Sequence, residues 1–458
     1  MAIPIWGIIP FVIMLACIAV LPLMPKLHHY WERNIVKLAV ALILGIPTAA
    51  WIWFGFEHGA ELVEHSMLEY VQFITLLFSL FVVSGGIFLA GDIHAMPRNN
   101  TILLAVGGLL ASFIGTTGAA MLLIRPILNS NRERENKVHT VVFAILIVAN
   151  CGGMLTPLGD PPLYLGLMRG VPFTWTFSLF PMWLFINGLL LLLYYAIDRV
   201  QYAKESEFAL SWNEQVETPL RVRGGTNIIW LLVIIASVAF LGEFIWIKIA
   251  VQLGAAVASY LITNKQIRFD DNEFSWAPIL EVAALFIGIF LTMIPALEYL
   301  REHAAQLPLN IYTLFVFTGS LSSVLDNAPT YLTFFEMSTQ LSVPGDILVA
   351  GVPQSYLLSI SLAAVACGAI TYIGNGPNFM VKTVAEERGV EMPSFGGYVI
   401  WTFKYLVPIL VAMVCIFLSS ELIVKIIGAV IAVGIVVWAV FMIVKNPLPH
   451  RRVKQEAA

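Results

Sequence analysis

The chain has 458 residues, of which 59% are hydrophobic and only 12% charged, less than half the charged share of an ordinary soluble domain. That composition excludes a soluble globular enzyme and makes lipid the solvent of most of the chain. A net charge of -4 with no long run of one sign excludes nucleic acid as a partner.

A hydrocarbon core about 30 Å thick takes roughly 20 apolar residues per helical span. In chain order, Pro4–Met24 and Ile35–Phe56 predict plain spanning helices. The first has no basic region before it and no small-residue cleavage site after it, so it reads as a retained helix. Glu57–Tyr70 is acidic and sets Ala60, Val63, Met67 and Tyr70 at helical spacing, which predicts a helix lying on the membrane interface before the next span, Val71–Gly91. Thr101–Leu128 is apolar but broken at Gly115-Thr-Thr-Gly118, and Thr140–Met168 is broken across Gly152–Pro162. Phe177–Ile197, Asn227–Leu241, Phe244–Ile262 and Trp276–Tyr299 are again plain spans. Ile311–Met337 is broken at Asp326-Asn-Ala-Pro329 and Tyr356–Val384 at Thr371–Pro377, before Val399–Leu418 and Leu422–Val444 close the chain. The four cysteines fall inside apolar stretches without CxxC spacing, which argues against disulfides and zinc.

Clusters of Gly and Pro end helices, and in a bilayer the freed backbone is tolerated only where protein buries it or a cavity meets it. The four breaks therefore mark the functional interior. Suppose Thr101–Leu128 and Ile311–Met337 are re-entrant hairpins that leave on the side they entered, while the other two broken stretches cross. Then, of the 25 Lys and Arg, only Arg169, Lys248, Arg301 and Lys425 fall outside. Letting both hairpins cross divides the basic residues almost evenly. The positive-inside rule selects the hairpins, in a multi-pass protein of the cell (inner) membrane with a cytoplasmic C-terminus.

Each half thus holds a hairpin, a connecting loop and a crossing helix broken at its middle. Leu155-Thr-Pro-Leu-Gly-Asp-Pro-Pro162 matches Ile370-Thr-Tyr-Ile-Gly-Asn-Gly-Pro377 at a constant offset, and Ala149-Asn-Cys-Gly152 resembles Ala366-Cys-Gly368 ahead of each break. The fold expected is an all-α polytopic membrane protein of two inverted repeats, each with a re-entrant hairpin and a broken transmembrane helix. Its divisions are scaffold helices in 1–100, a first repeat in 101–200, a cytoplasmic loop in 201–226, scaffold helices of the second half in 227–309, a second repeat in 310–419, and a C-terminal helix with a cytoplasmic tail in 420–458. Inverted repeats with broken helices at matching positions point to a secondary transporter whose site lies at the midplane.

A helix broken in the membrane exposes N–H groups at one new end and carbonyls at the other, suited to anions and cations respectively. Each half is expected to supply its own ion site. The first draws on Thr116 and Thr117 at the hairpin tip, with Gly153, Thr156 and Asp160 in the facing break; the second on Ser322, Ser323, Asp326 and Asn327, with Thr371, Asn375 and Asn378 opposite. Asn150 adjoins the first break and joins the candidates. These oxygen ligands suit a hard monovalent cation, so sodium is expected at Asp160 and Asp326. An ionised Asp at membrane depth costs roughly 2.5–3.5 kcal/mol on insertion scales, and each acid therefore needs a partner or a task, although both also stand where a helix N-cap would. Glu281 lies close to the interface, Glu336 and Arg125 lie in the second arms of the hairpins, where they either line the cavity or reach water, Asn187 suits interhelical hydrogen bonding, and Lys382 suits snorkelling. No cofactor is expected beyond sodium and protons as coupling or transported ions.

The segments Gly115-Thr-Thr-Gly118, Asn150 through Pro162, Leu325-Asp-Asn-Ala-Pro329 and Tyr372-Ile-Gly-Asn-Gly-Pro377 together resemble the ion transporter superfamily. The chain looks closest to the branch labelled putative citrate transport, whose members are often named sodium:proton antiporters, and is similar to NhaD-type antiporters and ArsB arsenite carriers. The resemblance runs over nearly the whole chain and implies a homodimer, a scaffold and a transport domain, a site formed by two hairpins and two broken helices, and elevator-like motion. Many relatives carry an Asp-Asn pair at the first tip, where this chain has Thr116-Thr117. Two acids at the site make sodium/proton antiport the leading expectation. Sodium- or proton-coupled transport of citrate or a dicarboxylate is the second, ranked lower for want of a mid-membrane Arg or Lys to hold a multivalent anion, and arsenite export is third. The partners expected are the lipid bilayer and a small inorganic cation or carboxylate. An enzyme is not expected: an intramembrane aspartyl protease needs Tyr-Asp and Gly-x-Gly-Asp, whereas the chain reads Leu325-Asp326 and Pro157-Leu-Gly-Asp160.

Overall fold

The computed structural model describes residues 3–24, 27–31, 33–205 and 218–447. Lys26, the centre of the expected cytoplasmic loop at 206–217 and the tail at 448–458 lie outside the described residues. The first half contains α1 (Ile9–Val20), a single turn α2 (His28–Trp31), α3 (Asn34–Gly55), α4 (Gly59–Ser84), α5 (Pro97–Ile114), α6 (Thr116–Ser130), α7 (Val138–Ile147), α8 (Pro161–Met168) and α9 (Phe180–Tyr202). The second contains α10 (Asn227–Phe240), α11 (Ile245–Ile262), α12 (Ala277–His303), α13 (Ile311–Ser322), α14 (Asn327–Ser338), α15 (Gln354–Cys367), α16 (Gly376–Glu387), α17 (Phe395–Tyr405), α18 (Val407–Met413) and α19 (Leu422–Lys445). Among the described residues seven helices are long and apolar enough to cross a membrane. Their outward faces carry large apolar side chains such as Phe54, 85% exposed, and Leu261 and Val444, each 74% exposed, which only a lipid solvent tolerates in such number. The protein is an all-α polytopic membrane protein.

Strands are few. β1 (Phe88–Asp92) pairs antiparallel with β2 (Thr218–Arg223), Phe88 opposite Arg223, and ties the link after α4 to the start of α10. β3 (Leu348–Val349) and β4 (Val352–Pro353) form a two-residue ribbon between α14 and α15.

One expected element differs. Glu57–Tyr70 is not a separate interfacial helix but the first half of α4, continuous with the span that follows. Its inner face carries polar groups, Glu69 buried and ion-paired to Arg169 at 3.0 Å and the Ser66 hydroxyl donating to the Phe290 carbonyl at 2.7 Å, while Glu57, Glu61, Glu64 and His65 stay exposed. Of its four Glu residues only Glu69 is buried, and its charge is met by internal ion pairing.

The four breaks fall where Gly and Pro placed them. Gly115, at φ +82°, closes α5 and opens α6, a left-handed conformation that other residues adopt only with strain. At the second tip no Gly is present. There Asp326 caps α14, accepting the Ala328 N–H at 3.1 Å, with Pro329 in the first turn. Pro161 and Pro162 start α8, and Pro377 lies in the first turn of α16.

The helices pack in two groups. One comprises α1, α3, α4, α10, α11 and α12; the other contains the two hairpins α5/α6 and α13/α14 with α7, α8, α9, and α15 to α19. They meet where α4 and α12 lie against α6, α8 and α14. Within the second group α6 packs on α16 and α8 on α14. The far end of the first pair is joined by Arg388, which donates to Asn129 at 2.6 Å, and that of the second by Arg169 and Glu336 at 2.5 Å.

Candidate functional site

All four helices that start inside the protein, α6, α8, α14 and α16, begin at one cavity. Its wall includes Thr116, Thr117, Asp160, Pro161, Asp326, Asn375 and Gly376, and apolar residues of α4 and α12 such as Leu76, Phe81, Val282 and Phe286 close the other side. Each helix N-terminus carries about half a positive charge from its unpaired N–H groups. The cavity is therefore positive at four helix ends and negative at two carboxylates, with no Lys, Arg or His among the described residues lining it.

Asp160 is the hub. It is 1% exposed, and its carboxylate accepts the Thr116 hydroxyl at 2.9 Å, the Asn375 amide at 3.3 Å and the Asn327 amide at 2.6 Å. The amide oxygen of Asn327, whose nitrogen makes that bond, is itself buried with no hydrogen-bond partner, an acceptor that can take a donor or a cation. Asn375 also donates to the Asn150 side chain at 3.2 Å and to the Ala149 carbonyl at 3.1 Å. Asn150 donates in turn to Asn378 at 2.6 Å, and Asn378 to the Gly368 and Thr371 carbonyls. The sequence assigned one set of ligands to each half. The structure instead interleaves them: Asp160 and Thr116 of the first half share one network with Asn327, Asn375 and Asn378 of the second. Contacts across the centre are invisible to a reading that pairs each break with its nearest hairpin in the chain.

Thr117 and Asp326 line the cavity without entering that network. The remaining candidates hold the hairpins to the breaks. The Thr156 hydroxyl donates to the Ser112 carbonyl and accepts the Leu158 N–H at 3.2 Å; the Thr371 hydroxyl donates to the Ser323 carbonyl and accepts the Ile373 N–H at 3.2 Å. Ser322 donates to the Ala364 carbonyl at 2.6 Å, and the Ser323 hydroxyl bonds within its own turn. Ser112, missed from the sequence, donates to the Gly152 carbonyl and accepts the Leu155 N–H at 3.1 Å. Its signal was its distance to the tip helix, four residues before Thr116 as Ser323 is four before Asn327.

Gly153 serves by having no side chain. A Cβ on Gly159 would lie 2.1 Å from the Gly153 carbonyl, and one on Gly374 would lie 2.6 Å from the Gly368 carbonyl. The offending atoms are backbone and cannot swing away, so Gly159→Ala and Gly374→Ala are each expected to destabilise by about 1–3 kcal/mol, read as a lowered unfolding temperature in detergent. Gly188→Ala, where nothing lies within 4 Å, should leave that temperature unchanged or raised.

The weaker candidates have partners elsewhere. Glu281 pairs with the buried Lys37 at 2.6 Å, Arg125 with Glu273 at 3.2 Å, and Lys382 with Glu386 one turn on at 2.6 Å. Asn187 donates to the Cys151 carbonyl at 3.0 Å, an interhelical bond as expected. No curated protein matches the chain. Residues 1–418 match the family described as putative citrate transport, and the chain belongs to that family of transporters.

Proposed function

We propose that this protein carries citrate or a closely related carboxylate across the membrane, driven by sodium or protons bound at Asp160 and Asp326. This takes the place of sodium/proton antiport, which the two aspartates alone suggested first. The observation that carries it is the convergence of four helix N-termini on one cavity: a carrier of cations alone gains nothing from four positive ends, whereas a carboxylate cargo is held by them without any Lys or Arg. The family match supports the same cargo.

Electrostatics then sets the order of binding. A cargo carboxylate about 5 Å from an ionised Asp is repelled by about 3 kcal/mol at an effective dielectric of 20. Cations or protons therefore bind first, Asp160 and the free Asn327 oxygen supplying ligands in the hub, and the anion follows onto the helix ends. The α5/α6 and α13/α14 hairpins, with their broken helices, act as two inverted repeats that move against α4 and α12.

The test is uptake of radiolabelled citrate into proteoliposomes under an imposed sodium gradient, an imposed proton gradient, or neither, with tricarballylate and succinate as competitors. Uptake well above protein-free vesicles that requires one of the gradients is expected. Absence of citrate uptake, together with collapse of a pH gradient by sodium alone, would return the protein to cation exchange.

A further inference from the structure

On α4, Glu69 and Ser84 are fifteen residues apart, about 22 Å at 1.5 Å per residue, and the moving elements are tied near both levels. Beyond Glu69, Arg169 at the C-cap of α8 meets Glu69 at 3.0 Å and Glu336 of α14 at 2.5 Å. Beyond Ser84, Glu273 meets Arg125 of α6 at 3.2 Å and Arg388, at the C-cap of α16, at 3.3 Å. The two clusters correspond element by element. Arg125 is nine residues on from Thr116 and Glu336 nine on from Asn327, while Arg169 and Arg388 each end a half-helix.

They differ in exposure. The side chains of Glu69 and Glu336 are 5% and 12% exposed about an Arg169 at 23%, whereas Glu273, between Arg125 at 8% and Arg388 at 31%, is 56% exposed, so the contrast lies in the acids. A solvated pair holds little, and a buried one resists separation. The cavity follows this asymmetry. It shares Phe81, Gly118 and Met380 with a second space lined by Arg125 and Glu273, whereas the space lined by Glu69, Arg169 and Glu336 shares no residue with it.

We propose that the Glu69–Arg169–Glu336 bridge is the lock that closes the pathway on the α8/α14 face, and that it parts each time the site turns to that side. The proposal deepens the transporter reading by supplying one of its gates. Removing the guanidinium leaves two carboxylates on one space, with His65, 3.5 Å from Glu69, and Arg301 in the lining as the remaining basic groups, and the carboxylates' repulsion favours opening that face.

Accessibility to a membrane-impermeant thiol reagent tests this with no assumption about cargo, so it can fail while citrate uptake stands, and the reverse. Met293→Cys, which lines the same space as the bridge and is 2% exposed, reports the locked face; Met380→Cys reports the open one. Both are placed in vesicles of each orientation. Arg169→Gln is expected to raise labelling of the Met293 probe at least tenfold and to lower that of the Met380 probe, while Arg169→Lys labels as the parent does. The buried native Cys151 and Cys367 stay unreactive if the core is intact. Should they react, Glu69→Gln combined with Glu336→Gln, which breaks the bridge and leaves no buried carboxylate, must give the same shift. Unchanged labelling of both probes in the variants that keep their core overturns the lock.

Discussion

Asp160→Asn is expected to lower ion-driven uptake at least a hundredfold while leaving the protein folded. The hub offers Asp160 three donors, from Thr116, Asn327 and Asn375. An amide keeps one acceptor oxygen, and its NH2 needs an acceptor of its own. Asn327 can supply one by rotating its amide, since its oxygen is buried and unpartnered, and the Thr116 hydroxyl can reverse its bond. What is lost is the charge that binds the coupling ion. Asp160→Leu removes every acceptor and leaves buried donors unsatisfied at about 1–3 kcal/mol each, so that variant should unfold or fail to accumulate. Initial uptake rates and unfolding temperatures of the two variants separate the roles. If Asp160→Asn transported at the parent rate, the hub would be a structural knot and the coupling ion would have to bind elsewhere.

Much of this arrangement is legible in the chain because its breaks are written in residues with few conformational options. Gly115, Pro161, Pro329 and Pro377 fix where helices start and stop, and the match of Leu155–Asp160 to Ile370–Asn375 anticipates two local geometries that agree down to the hydroxyl bonds of Thr156 and Thr371. The placement of the hub is not legible. Asp160 and Asn375 occupy matching positions of that alignment, and only packing of one half on the other brings the Asn375 amide to the Asp160 carboxylate. Likewise the charge of Glu69 reads as surface in the sequence because its partner, Arg169, lies a hundred residues away. A carboxylate cargo ranks second on the sequence for a related reason. A search for a basic side chain to hold an anion overlooks positive charge carried by backbone, which appears only when the four helix starts are seen to share a cavity.

Asp326→Asn is expected to raise the sodium or proton concentration for half-maximal uptake at least tenfold, with unfolding moved by no more than a few degrees. Asp326 stands at the N-cap of α14 and accepts the Ala328 N–H, so its residue type has a sufficient structural reason. Asn caps as well as Asp does and removes only the charge, whereas Asp326→Leu removes both and should cost about 1 kcal/mol besides. Asp326 also lines the cavity, as do Gly115 and Thr116 of the first tip, which bring no carboxylate. The cavity therefore has one acid held in the hub network and one, at the N-cap of α14, outside it, and the acid outside the network is the one expected to adjust to an entering cation. Parent-like coupling in Asp326→Asn would make this residue a cap alone and assign the coupling ion to Asp160. A shift in ion dependence without a shift in unfolding would make it a ligand that also caps.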